Sequence, residues 1–196
     1  MLNPKSEGAQ SMYGRGVLLA LALVVGVLVL PVLWFEVLRF QSARHLSMAV
    51  GRGDALSTHL WLLIVDPNNM AYPPLVQAAE AGNEDMVRLL LMRGADVNYR
   101  GKEGPTAFQM AASRGHLEVM RRLVAAGAHE DDGYALAMAS RDCRPEAVKL
   151  LLGQGGWEPK KPLRPAMVMW ARSEAEEKGC EAVLRLLPPE PPAPAP

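Results

Sequence analysis

A 33-residue period constrains this chain more than any other feature. Gly82 to Gly115 is 33 residues, and Gly94 to Gly127 is again 33. Recurrence at a fixed spacing of this size points to a unit that cannot bury its own apolar face and must stack on copies of itself. Three segments share the pattern: residues 73–98 (PPLVQAAEAGNEDMVRLLLMRGADVN), 106–128 (TAFQMAASRGHLEVMRRLVAAGA) and 134–155 (YALAMASRDCRPEAVKLLLGQG). Each contains a small-residue pair, Ala78-Ala79, Ala111-Ala112 or Ala139-Ser140, followed by a turn residue, Gly82, Gly115 or Cys143. An acidic residue (Asp85, Glu118, Glu146) then opens a second apolar helix, which ends in a Leu-rich stretch and a glycine (Gly94, Gly127, and Gly153 or Gly155). Ala, Leu, Glu, Arg and Met dominate, aromatics make up 6%, and Thr and Ile are scarce, which favours helix over strand.

The most specific matches are Ala78-Ala79, Gly82 and Gly94-Ala95-Asp96-Val97-Asn98 in the first segment, and Gly104, Thr106, Ala111-Ala112, Gly115-His116-Leu117-Glu118 and Gly127-Ala128 in the second. On these residues the chain resembles the ankyrin repeat family. The resemblance implies an all-α fold, an ankyrin-type helix-turn-helix repeat solenoid. Small residues then let neighbouring first helices approach closely, and Leu89, Leu90, Leu123, Leu150 and Leu151 fill the space between second helices. Gly94 and Gly127 stop the second helix by adopting positive φ. His116 is expected to hydrogen-bond backbone, as that position does in the family, rather than to bind a metal.

The array frays at both ends. Residues 44–69 keep a weak echo (Ala49, Gly53, Leu60, Leu62, Leu63, Pro67-Asn68-Asn69) and read as a degenerate cap. Repeats follow at about 70–98, 101–128 and 131–155, and a C-terminal cap at 165–187. In that cap Ser173–Lys178 lengthens the inter-helix turn or first helix, and Trp170 falls where the family has a small residue. The third repeat is clipped between Ala128 and Gly133, so only Asn98–Pro105 is long enough for a full hairpin finger. Residues 188–196, PPEPPAPAP, read as a Pro-rich disordered tail.

Ahead of the array lies GVLLALALVVGVLVLPVLWF, residues 16–35, with no charged side chain. As a helix it would span about 30 Å, the thickness of a bilayer core. A cleaved signal peptide would have a shorter apolar run and a small-x-small site; here the run ends in Leu33, Trp34 and Phe35. We therefore expect a tail at 1–15, a transmembrane helix within 16–40, and the repeat domain at 41–187. Basic residues flank both sides, Lys5 and Arg15 against Arg39, Arg44 and Arg52. A short basic tail before an anchor usually stays cytoplasmic. That implies an inner-membrane protein, read as bacterial, with its repeats on the periplasmic side.

Nothing in the sequence assembles a reaction centre. It has no G-x-S-x-G, no Walker-type glycine loop and no H-E-x-x-H. His45, His59, His116 and His129 lack ligand spacing, and His129-Glu130-Asp131-Asp132 reads as a solvated loop. We expect no enzyme activity, cofactor or metal. The 21 basic and 21 acidic residues balance, which gives no electrostatic case for nucleic acid. Cys143 and Cys180 read as unpaired thiols, since pairing needs close Cβ atoms; a bridge stays open if the domain faces an oxidising compartment.

The resemblance implies that a monomeric repeat domain binds another protein through a concave face of finger tips and exposed first-helix positions. Carried over position by position, that face takes in Tyr72, Glu80, Tyr99, Lys102, Glu103, Ser113, Arg114, Arg141 and Asp142, with Arg172 beyond them. Tyr and Arg are its expected hot spots. Two readings follow: a membrane-tethered scaffold or helper for an envelope protein, or an immunity or inhibitor protein that neutralises a cognate toxin or enzyme.

Overall fold

The computed structural model describes residues 30–102, 104–129, 133–154 and 164–189, with side chains described from residue 41 onward. The chain divides into two compact units, Met1–Arg44 and His45–Pro196. The expected membrane segment lies outside the described residues as far as residue 29. Among the described residues, no helix is long and apolar enough to cross a membrane.

The second unit is built from helix pairs. Helix α1 (Leu30–Arg52) supplies its C-terminal part to the unit, and α2 (Ala55–Trp61) pairs with that part. The pairs α3 (Pro74–Glu80) with α4 (Glu84–Met92), α5 (Ala107–Arg114) with α6 (Leu117–Ala125), and α7 (Tyr134–Arg141) with α8 (Pro145–Lys149) follow. The last pair is α9 (Pro165–Glu177) with α10 (Glu181–Leu184). No strand is present among the described residues, and the Asn98–Pro105 stretch, where the finger was expected, holds turns at 97–98 and 101–102 joined by Tyr99 and Arg100.

Side-chain size sets the two layers. First helices α3, α5, α7 and α9 pack side by side through alanines. Ala78, Ala79, Ala111, Ala112, Ala135, Ala139, Ala171 and Ala175 are all fully buried. Second helices are spaced by larger groups, among them Met86, Val87, Leu90, Val119, Met120, Leu123 and Leu151. Fully burying one such Leu or Val contributes about 1.5–3 kcal/mol. Phe108, also buried, belongs to the same continuous core.

Local capping explains where the helices begin. Asp54 and Asn83 accept from the backbone N–H groups of Ser57 and Met86. Thr106 and Gln109 close a reciprocal capping box at α5, at 3.2 and 3.0 Å. Between first and second helices the chain turns through a left-handed residue every time: Gly53 (φ 70°), Gly82 (70°), Gly115 (77°), Cys143 (54°) and Gly179 (67°). Cys143 is the one non-glycine with positive φ among the described residues.

Register at that turn corrects the reading of the C-terminal cap. Counted back from the turn, Ala171 and Ala175 occupy the buried positions of Ala135 and Ala139. Trp170 therefore stands level with Tyr134, both exposed, where the first two repeats have the smaller, buried Pro73 and Thr106. Helix α9 has 13 residues against 8 in α7. The same count makes Ser173–Lys178 the ordinary end of the helix and puts the added turn at its start.

The expectation of free thiols is also corrected. Cys143 and Cys180 form a disulfide, with Cα atoms 5.6 Å apart. Each turn residue lies against the N-cap side chain of the next repeat. A Cβ on Gly82 would run into the His116 ring, and one on Gly115 would come within 3.1 Å of Arg144. Cys143 and Cys180 occupy the next step of that column, so stacking brings together residues 37 apart in sequence.

Candidate functional site

The exposed side of the first-helix layer carries most of the polar residues singled out from the sequence. The loop before α3 places Tyr72, and the last residue of α3 is Glu80. The Tyr72 hydroxyl donates to a Glu80 carboxylate oxygen at 2.6 Å. From the end of α5, Arg114 donates to the other Glu80 oxygen at 2.5 Å. One repeat further, the Ser113 hydroxyl donates to Asp142, which also pairs with Arg141 at 3.2 Å. Two linked clusters thus run along the C-terminal ends of α3, α5 and α7. Arg114 adds its positive field at Asp142, coupling them.

The electrostatics follow from these contacts. The Tyr72 hydrogen bond, then the Arg114 hydrogen bond, holds the Glu80 carboxyl below the ordinary glutamate value. Burial, then the bond to Glu80, pushes the Tyr72 phenol well above the ordinary tyrosine value. Partial burial opposes ionisation of Asp142, but Ser113 and Arg141 outweigh it and lower its pKa. Glu80 fixes the Arg114 guanidinium in its charged form. The face is therefore a set of fixed charges and donors, suited to recognition of a polar surface. Among the described residues, no group of three His, Cys, Asp or Glu is placed to hold a metal.

Other expected face residues stand differently. Tyr99 sits in the turns after α4, its hydroxyl 3.5 Å from the Met70 carbonyl. Gly101, with φ 67°, lets the same loop pack against the Ala71 carbonyl, where a side chain would collide. Lys102 is exposed on that loop, and Glu103 lies outside the described residues. Ser113 is buried, so only its neighbours meet solvent. Arg172 ties down the chain end instead of facing a partner, donating to the carbonyls of Leu187 and Pro188 at 3.0 and 2.7 Å.

Two features went unread in the sequence. Tyr134 and Trp170 meet edge to face, ring centroids 5.2 Å apart, and both are exposed. Their spacing from the turns Cys143 and Gly179 is the signal that places them side by side. The second feature is a pair of asparagine bridges. The Asn68 amide donates to the Gly94 carbonyl (3.0 Å) and accepts from Asp96 N–H (2.8 Å). Asn98 repeats the arrangement with Gly127 and His129. His116 behaves as expected, with Nε2 donating to the Glu80 carbonyl at 3.1 Å. Arg144 does the same for Ser113 at 3.2 Å.

Comparison with known proteins agrees with this layout. Residues 75–161 match the family model for ankyrin repeats (3 copies). The probable E3 ubiquitin-protein ligase XBOS33 of Oryza sativa subsp. japonica is 35% identical over 135 residues, covering 62% of this chain and 25% of that protein. An ankyrin repeat-containing protein of Treponema pallidum (strain Nichols) is 42% identical over 62 residues, covering 32% and 21%. Protein phosphatase 1 regulatory subunit 27 of Homo sapiens is 34% identical over 70 residues, covering 36% and 44%. The chain spans less than half the length of each of these relatives. The residues that match, 75–161, are the part of the stack whose turn, cap and asparagine positions recur from helix pair to helix pair, and over that stretch the chain is similar to three copies of the ankyrin repeat.

Proposed function

We propose that this chain is a membrane-tethered interaction module that holds a protein partner on the exposed side of its first helices, as scaffold or helper for an envelope protein. The observation that carries the reading is the half-exposed network of Tyr72, Glu80 and Arg114 with its extension to Arg141 and Asp142. These side chains are held in place by one another across successive repeats, so less rotamer freedom is lost when a partner binds. The Tyr134–Trp170 pair adds apolar area of the kind found at interface hot spots. Ankyrin repeats are interaction modules, and one relative is named as a phosphatase regulatory subunit.

The tether is the apolar run at 16–35, spanning the inner membrane of a bacterial cell, with a monomeric repeat domain on the periplasmic side. The Cys143–Cys180 bridge supports that side, because such bonds persist in oxidising compartments and are rare in the cytosol.

The test is crosslinking of the full-length chain in its own membranes, followed by affinity capture. Arg114→Glu and Trp170→Ala should each lose the partner, and Lys149→Glu, on the second-helix layer, should keep it. Equal recovery by all three would remove the assignment of the face. Protease added to sealed spheroplasts should cleave the repeats; protection would reverse the orientation.

A further inference from the structure

The second helices carry a repeated surface pattern that the N-terminal cap breaks. In the three central pairs an acid–base pair lies two and five residues after the N-cap: Asp85–Arg88 at 3.0 Å, Glu118–Arg121, and Glu146–Lys149 at 2.7 Å; in α10 the same positions hold Ala182 and Arg185. In α2, counted from its N-cap Asp54, those positions hold Leu56 and His59. Leu60 in α2, and Leu63 and Ile64 in the turn that follows it, continue the stripe. Leu56, Leu63 and Ile64 are 72%, 70% and 75% exposed, and Leu60 is 54% exposed. Thr58, on the opposite side of the helix, is fully buried. A lone exposed leucine is ordinary, but four aliphatic side chains on one stripe are not. A terminal repeat normally presents a polar outer face for solubility.

From this we infer that the outward face of α2 rests on the surface of the lipid bilayer, so that the cap both anchors and orients the stack. The inference rests on the proposed membrane segment at 16–35. Phe35 and His45 are 10 residues apart, a connection that reaches at most about 35 Å even fully extended. The His45 ring stacks on Trp61, centroids 5.2 Å apart and planes within 8°. Trp61, the last residue of α2, is thus held against a residue only 10 positions after the end of the apolar segment. From Ala55 to Val65 the sequence ALSTHLWLLIV has no Asp, Glu, Lys or Arg. The four exposed side chains are aliphatic and offer no hydrogen-bonding group; His59 among them is half-buried and bonded to Arg93. A protein interface of this size would place aromatic and Arg anchors among its apolar groups. A bilayer surface asks only for apolar area on one side of a helix.

The test uses the full-length chain in phosphatidylcholine–phosphatidylglycerol vesicles, with an environment-sensitive fluorophore attached through Ile64→Cys. Glu118→Cys, at the position equivalent to Leu56 two repeats on, serves as the control. The chain should float with the vesicles, and brominated acyl chains should quench the label at 64 several-fold more than the label at 118. Failure to float would remove the membrane segment, and this inference with it. Flotation with equal quenching at both sites would leave the segment standing and overturn the inference alone. Emission at 64 that follows the protein-to-lipid ratio but not bromine would mean that a second copy covers the stripe, and would also overturn it. Leu60→Glu with Leu63→Glu in the labelled chain should erase the difference between the sites.

Discussion

At the scale of single residues, the polar face is held by bonds whose strength depends on protonation. Glu80 has a lowered pKa because of Tyr72 and then Arg114, so its contribution is present above the ordinary glutamate value and is lost as pH falls through the lowered one. Tyr72 has a raised pKa from burial and the bond to Glu80; its contribution is present below the ordinary tyrosine value, about 10, and is lost as pH rises through the raised one. Alkaline titration followed by ultraviolet absorbance should thus show a tyrosine ionising late, and Glu80→Gln should bring it earlier. An unchanged late step in that variant would dissolve the pair. The cost of Tyr72→Phe in stability should stay at or below about 1 kcal/mol, because both side chains meet water. Thr58 makes the opposite case. Its hydroxyl is buried and has no hydrogen-bond partner. Thr58→Val keeps the shape and removes the unpaired group, so urea unfolding should show a gain of about 1 kcal/mol. A loss would mean that the hydroxyl is satisfied in solution.

At the scale of elements, the repeat was legible because its signals are local. The alanine pairs, the turn glycines and the Gly94 and Gly127 stops all act within one helix or one turn. What failed to show were relations between repeats. Cys143 reads alone as a substituted turn glycine; only stacking α8 beside α10 brings Cys180 to it. Trp170 reads alone as a large residue at a small position; only stacking α7 beside α9 brings Tyr134 to it. Asn68 and Asn98 looked like loop residues until their bridges to the next repeat were seen. Of the site, residue types and rough face were legible, but not that Ser113 is buried or that Arg172 ties down the chain end. The disulfide carries an element-scale prediction. Closing a loop with sequence separation 37 should contribute about 4 kcal/mol by loop entropy. Cys180→Ala should lose most of that. Cys143→Gly loses the same bond but relieves a left-handed backbone that costs a non-glycine residue about 1 kcal/mol. It should therefore be the milder of the two in thermal melts under oxidising conditions. Equal melting temperatures would show that the turn is unstrained.

At the scale of the whole repeat unit, His45–Pro196, stability is a chain of neighbour contacts, because each helix pair touches only the next. Such a stack should open from its ends, and its two ends are built differently. The N-terminal cap buries an unpaired Thr58 and has one short second helix of 7 residues. At the other end, α10 has 4 residues, too few to hold itself, but Cys180 at its N-cap is bonded to the turn between α7 and α8. The bond converts the weakest helix into part of its neighbour. Amide hydrogen exchange on the oxidised full-length chain should then show α9 and α10 opening together with α7, not ahead of it. Reduction should speed exchange in α9 and α10 while leaving α3 and α5 unchanged, since their contacts do not pass through the bridge. Uniform acceleration across the stack would mean that the unit unfolds as a single cooperative body. No change in α9 and α10 would mean that the buried Ala171, Ala175 and Val183 hold the cap without covalent help.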